Sequence, residues 1–138
     1  MLIRVFLGIQ ALIFIPYGLY CLVRPQMLED PAGIAAVTIT GVIELQAMYG
    51  GLQTGVGVLC GLAAFVERFR QGALLALLFI FAGLAVTRVS LALVHADFSN
   101  YTLFAMIFES ANTLFLLWYL ALRGGDGRGT SQRNAILP

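Results

Sequence analysis

Apolar positions occur along this chain in long blocks separated by short polar stretches. The first block, residues 2–23, is about 22 residues long, enough to cross a hydrocarbon core about 30 Å thick. It outlasts the apolar part of a signal peptide and lacks a small-x-small cleavage site, so a retained membrane helix is expected. Pro16 should kink it, with Gly18 adding freedom. A polar break over residues 24–30 (RPQMLED) follows. Residues 34–66 are then apolar for about 33 residues, which as one helix would be about 50 Å long, too long for one untilted crossing. The pattern therefore predicts a short surface helix or loop over 32–40 and a second span from near Gly41 to Glu67. Glu67-Arg68-Phe69-Arg70 reads as a tight charged turn between antiparallel neighbours. The third span is expected over 72–94, interrupted by Thr87, Arg88 and Ser90. A polar loop follows over 95–101, and a fourth span over 102–122 carries Glu109, Ser110, Asn112 and Thr113. The fold class expected is all-α, a four-helix transmembrane bundle over residues 1–123 followed by a flexible cytoplasmic tail over 124–138.

Composition agrees with that pattern. Sixty per cent of the residues are hydrophobic and 11% charged, against about a quarter charged in soluble domains. The net charge of +1 argues against a nucleic-acid partner, which calls for dense basic patches. The bilayer itself is the first partner, with a hydrophobic small molecule, a membrane protein partner or a second copy also compatible. Arginine placement sets the expected orientation. With both termini inside, Arg4, Arg68, Arg70, Arg123, Arg128 and Arg133 fall on the cytoplasmic side and only Arg24 in an outer loop, as the positive-inside rule requires. Cys21 and Cys60 are expected near opposite ends of adjacent spans, too far apart for a disulfide, and are read as small hydrophobes.

Ionisable residues inside the spans change the picture most. A charge at the bilayer centre is disfavoured by roughly 2.5–3.5 kcal/mol, so such residues are expected to find partners on other helices. Arg88 lies about 10 Å from the outer end of the third span. Glu109 lies at a similar depth in the fourth, and Glu44 about one turn inside the second. Arg88 is therefore expected between Glu44 and Glu109. His95 falls on the face of Arg88 nearer water, Asp97 joins it at the rim, and Asn112 shares the side of Glu109. Opposite Glu44, Ala47, Met48, Gly51 and Gly55 form a stripe of small side chains suited to helix packing.

One arginine neutralises one carboxylate; the second acid, desolvated beside a like charge, is expected to keep its proton and act as a donor. Glu44, Arg88 and Glu109 are the candidate catalytic residues, and Tyr49, His95 and Asn112 the candidate ligand-binding residues. One histidine is too few for a haem or histidine-rich metal site, and Arg88 would repel a divalent ion; no cofactor or metal is expected. Ser90 and Ser110 have no base beside them and read as packing hydroxyls.

Glu44-Leu-Gln-Ala-Met-Tyr-Gly-Gly, followed by Arg88-Val-Ser-Leu and the late Glu109, resembles a family of small bacterial four-helix membrane proteins within the DoxX-like group. That group includes a membrane subunit linked to thiosulfate:quinone oxidoreduction. The matching positions are Glu44, Ala47, Tyr49, Gly50, Gly51, Arg88 and Glu109. The resemblance implies a multi-pass protein of the bacterial inner (cytoplasmic) membrane and does not specify a reaction.

Two readings of the polar set follow. In one, a pocket toward the outer leaflet holds a lipid-like small molecule and carries out acid–base chemistry such as epoxide opening, cyclisation or isomerisation. In the other, the chain is a non-catalytic accessory or assembly subunit, and the ionic trio is a lock that fixes which helices meet.

Overall fold

The computed structural model describes the backbone of residues 1–133 and the side chains of residues 1–122. Among the described residues the chain is all-α, in the order α1 (Leu2–Val23), a 3₁₀ turn (Pro25–Leu28), α2 (Glu29–Ala32), α3 (Ile39–Leu45), a π-helical segment (Gln46–Gly51), α4 (Leu52–Phe65), α5 (Glu67–His95) and α6 (Asn100–Arg133). Four stretches are long and apolar enough to cross a membrane: α1, Ile39–Phe65 taken through the π segment, α5, and Asn100–Leu122 of α6. The tail expected over 124–138 begins as a continuation of α6, and residues 134–138 lie outside the described residues. The chain divides into two compact units, Met1–Ala73 and Leu74–Pro138.

In the first unit, α1 packs along α4 and the π segment. The buried positions of α1 are Ile3, Leu7, Gln10, Ala11, Gly18 and Cys21. They recur at three- and four-residue steps, so one stripe of an otherwise apolar helix faces its neighbour. Small residues on the partner side, Gly50, Gly57, Cys60, Ala63 and Ala64, are buried in return. A Cβ on Gly57 would lie 2.8 Å from the Ile15 backbone nitrogen, and one on Gly18 would lie 2.6 Å from that of Thr54. Helix contact in lipid has little hydrophobic drive, so this close backbone approach is what supplies dispersion attraction. Pro16 sits inside a continuous α1, and Gly18 lies against Thr54 and Gly50.

Between the first two spans the chain makes the 3₁₀ turn and the single turn of α2. It reverses at Gly33, whose φ of +65° a side chain would strain. The Gly33 amide donates to the Glu29 carbonyl at 3.0 Å. The second span begins at Ile39 because Thr38 caps it: its hydroxyl oxygen accepts from the Gly41 amide at 3.1 Å.

The π segment departs from the expected straight helix. A π turn shifts hydrogen bonding from i+4 to i+5 and leaves carbonyls in need of donors. Here the Thr54 hydroxyl donates to the Gly50 carbonyl at 2.8 Å. Nearby, Gln46 Nε2 donates to the Leu22 carbonyl at 2.7 Å, satisfying an orphan oxygen at the end of α1. The glycines that face α1 are not those in line with Glu44. Gly50 and Gly57 make the close contacts, whereas Gly55 has nothing within 4 Å and Gly51 only a backbone oxygen at 3.9 Å. The small-residue stripe expected at Gly51 and Gly55 is thereby corrected to Gly50, Thr54 and Gly57.

The charged segment at 67–70 is the opening turn of α5 rather than a turn between helices. The break falls on Val66, which is extended (φ −105°, ψ 110°). Glu67 sits in the first turn, where the helix dipole favours an acid. Arg70 is buried; its Nη1 donates to Glu67 at 2.9 Å and its Nε to the Ala63 carbonyl at 3.4 Å. It thus clamps the corner by binding a carbonyl near the end of α4.

In the second unit, Leu74, Leu77, Phe81, Ala85 and Ala92 are buried on α5, and Glu109, Asn112 and Leu116 on α6. Phe81 meets Phe108 edge-on, with ring centroids 5.7 Å apart. The connection is tight. Ala96 adopts φ +50°, and the Asp97 amide donates to the Ala92 carbonyl at 3.1 Å, the 6→1 bond of a Schellman ending. Ser99 then caps α6, its hydroxyl oxygen accepting from the Thr102 amide at 3.3 Å. Alanine in a left-handed conformation costs about 1 kcal/mol that glycine does not. Ala96→Gly is therefore expected to raise stability by about 0.5–1 kcal/mol, read as a higher unfolding midpoint in detergent; an unchanged or lower midpoint contradicts the strain.

Candidate functional site

The site grows from the buried face of α5. From Leu74 and Leu77 through Phe81 and Ala85, steps of three and four lead to Arg88 and then Ala92. An arginine on this stripe cannot be left unpaired in hydrocarbon. The complementary stripe on α6 runs Glu109, Asn112, Leu116, and places a carboxylate at comparable depth.

The two side chains close on each other. Arg88 Nε donates to Glu109 Oε2 at 2.9 Å and to Oε1 at 3.1 Å, and Nη2 donates to Oε1 at 2.8 Å. This fork geometry is the strong form of a charged hydrogen bond. The Glu109 side chain is 7% exposed and that of Arg88 29%. The carboxylate is thus enclosed, while the guanidinium keeps a surface. Around Glu109, α6 satisfies its own polar groups: the Thr113 hydroxyl donates to the Glu109 carbonyl at 2.8 Å, and Asn112 Nδ2 donates to the Phe108 carbonyl at 2.8 Å.

That exposed side of Arg88 lines a cleft of about 430 Å³, bounded by Leu84, Thr87, Leu91, Ala92 and His95 of α5, Asp97 of the loop and Thr102 of α6. Its α5 members recur at i+3, i+4 and i+7, so the cleft follows the helix axis for nearly three turns. Leu84, Leu91 and Ala92 give it an apolar wall. His95, Asp97 and Thr102 form its rim. Asp97 is held there by the Thr102 hydroxyl, which donates to Oδ2 at 2.9 Å, and by the Ser99 amide, which donates to Oδ1 at 3.3 Å.

Of the residues singled out in the sequence, the structure joins Arg88 to Glu109 and sets His95 on the same cleft as Arg88. Asn112 is buried one turn along α6 from Glu109. Glu44 and Tyr49 belong to the other compact unit: Glu44 is exposed on α3, and Tyr49 is half-buried in the π segment. Arg88 is bound to Glu109, and Glu67–Arg70 is a second ion pair among the described residues. Thr87, Leu91 and Thr102 were not singled out. Thr87 and Leu91 were within reach of helical spacing counted from Arg88; Thr102 required knowing how the loop turns.

Four membrane-length helices, with an ion pair buried between two of them beside a cleft, define a multi-pass helical membrane protein. The chain belongs to the family described as Domain of unknown function (DUF4345), whose model matches residues 2–120. No curated protein and no solved structure is significantly similar to it.

Proposed function

We propose that the chain is a multi-pass protein of the bacterial inner membrane, with both termini in the cytoplasm, and that the cleft beside Arg88 holds a lipid-like small molecule. The arginine distribution supports the orientation, and the resemblance to DoxX-like proteins supports the membrane. The cleft carries the binding reading. Its volume lies within the range of about 300–1,000 Å³ usual for small-molecule sites, and it combines an apolar wall with a few convergent polar groups. Chemistry on the bound molecule would be acid–base in kind. Glu109, paired with Arg88, suits the role of base.

Native mass spectrometry of the protein in nanodiscs tests this reading. Wild type is expected to retain a small amphiphile, and Leu91→Trp, which fills the cleft from a half-exposed position, to lose it while remaining folded. Equal retention by both, or retention by neither, overturns the binding reading. Any turnover of the retained molecule should be abolished by Glu109→Gln in folded protein; unchanged turnover ends the acid–base reading.

The closed Arg88–Glu109 pair favours a second reading, in which the chain is an accessory or assembly subunit and the pair is a structural lock. In that case neither the cleft nor its filling matters to function, and the pair matters only by holding α5 to α6.

A further inference from the structure

We propose that the cleft selects an uncharged amphiphile with two polar groups, a hydroxyl at the head and a neutral hydrogen-bond acceptor about 10 Å further along. This rests on the binding reading above and specifies its ligand.

The spacing comes from α5. His95 and Arg88 lie seven positions apart, about 10 Å along the axis, with Leu91 and Ala92 between them on the cleft wall. Both side chains lean toward the helix N-terminus, so the separation carries over to their polar ends. A ligand lying along the cleft therefore meets a polar rim, an apolar stretch and a second polar group at depth.

The chemistry at each end follows from what the protein offers. At depth, a guanidinium only donates, so the ligand must accept. Arg88 and Glu109 together carry no net charge. A carboxylate or phosphate brought beside them would add an uncompensated charge in a low-dielectric region, which is costly. A carbonyl or ether oxygen adds none. At the rim, the Asp97 carboxylate accepts, while His95 can donate or accept. A hydroxyl can donate to the first and accept from the second, whereas an ammonium can only donate.

The test uses the full chain in nanodiscs, titrated calorimetrically against empty discs. Three probes that share an eight-carbon chain ending in a hydroxyl are compared: methyl 8-hydroxyoctanoate, 1-octanol and the 8-hydroxyoctanoate anion. The hydroxy ester is expected to bind at least about tenfold more tightly than 1-octanol, the factor of one hydrogen bond to a charged group, and more tightly than the anion. His95→Ala should weaken the ester and 1-octanol by a common factor, leaving their ratio unchanged. Equal affinity for ester and 1-octanol removes the deep acceptor position while leaving the cleft a binding site. Tightest binding of the anion overturns the neutral-ligand inference, again without touching the cleft. Unchanged binding in His95→Ala overturns the rim contact. Binding of no probe above empty discs removes the binding reading and this inference with it.

Discussion

Arg88→Ala is expected to destabilise the α5–α6 pair by about 3 kcal/mol, measured as unfolding free energy by denaturing-detergent titration in mixed micelles. Breaking a buried ion pair usually costs about 3–5 kcal/mol, because the remaining charge is left without a partner. The lower end applies here, since the Arg88 side chain keeps 29% of its surface exposed and the pair is only partly enclosed by protein. The orphaned Glu109 carboxylate, 7% exposed, is the main source of the loss. Removing both charges should therefore restore much of the stability: Arg88→Met combined with Glu109→Leu is expected to be more stable than either single variant. A cycle of the two single and the double variants isolates the coupling. Additive effects, or a fully stable Arg88→Ala protein, would mean that the pair contributes nothing to holding the two helices. The same variants bear on function, because the double variant keeps the cleft wall while removing the guanidinium. A lock predicts that it works like wild type, whereas a binding site predicts that its ligand is lost.

That pair is legible in the sequence because lipid makes ionisable side chains expensive. Arg88 and Glu109 sit at matching depths in consecutive spans, and few solutions other than contact are open to them. Glu44 belongs to the other compact unit. Position along a helix says nothing of facing, and a carboxylate one turn inside a span can reach the polar interface instead of the interior. In the structure it stands exposed on α3. The span boundaries are legible to within a few residues, with one instructive error at 67–70. Charged residues suggest a turn, but Glu67 favours a helix N-terminus and Arg70 a nearby carbonyl, so both start α5 and the break moves to Val66. The π segment is illegible for a different reason. Nothing in Gln46–Gly51 dictates an i+5 hydrogen bond; the segment coincides with two donors, Thr54 and Gln46, that take up carbonyls at Gly50 and Leu22. Beyond it α4 is regular, and the face that meets α1 runs through Gly50, Thr54 and Gly57; counting along the face of Glu44 selects other glycines.

That contact face makes a sharp prediction about α1 and α4. A methyl group on Gly18 would meet the Thr54 hydroxyl, and would lie 2.6 Å from the Thr54 nitrogen and 2.8 Å from the Gly50 oxygen. The last two are backbone atoms, so no rotamer change relieves them and the helices must separate. Overpacking costs typically about 1–3 kcal/mol, and Gly18→Ala is expected at the top of that range, with Gly57→Leu at least as severe. The controls lie in the same helices. Gly8 and Gly55 have nothing within 4 Å, so Gly8→Ala should gain up to about 1 kcal/mol from helix propensity, and Gly55→Leu should be nearly neutral. If the helices met through the Gly51–Gly55 face instead, Gly55→Leu would be the damaging substitution and Gly57→Leu the tolerated one. Unfolding midpoints of these four variants thus decide between the two contact faces. Thr54→Val adds a further arm: it removes the hydroxyl bonded to the Gly50 carbonyl while keeping the side-chain shape, and should lower stability by about 1 kcal/mol.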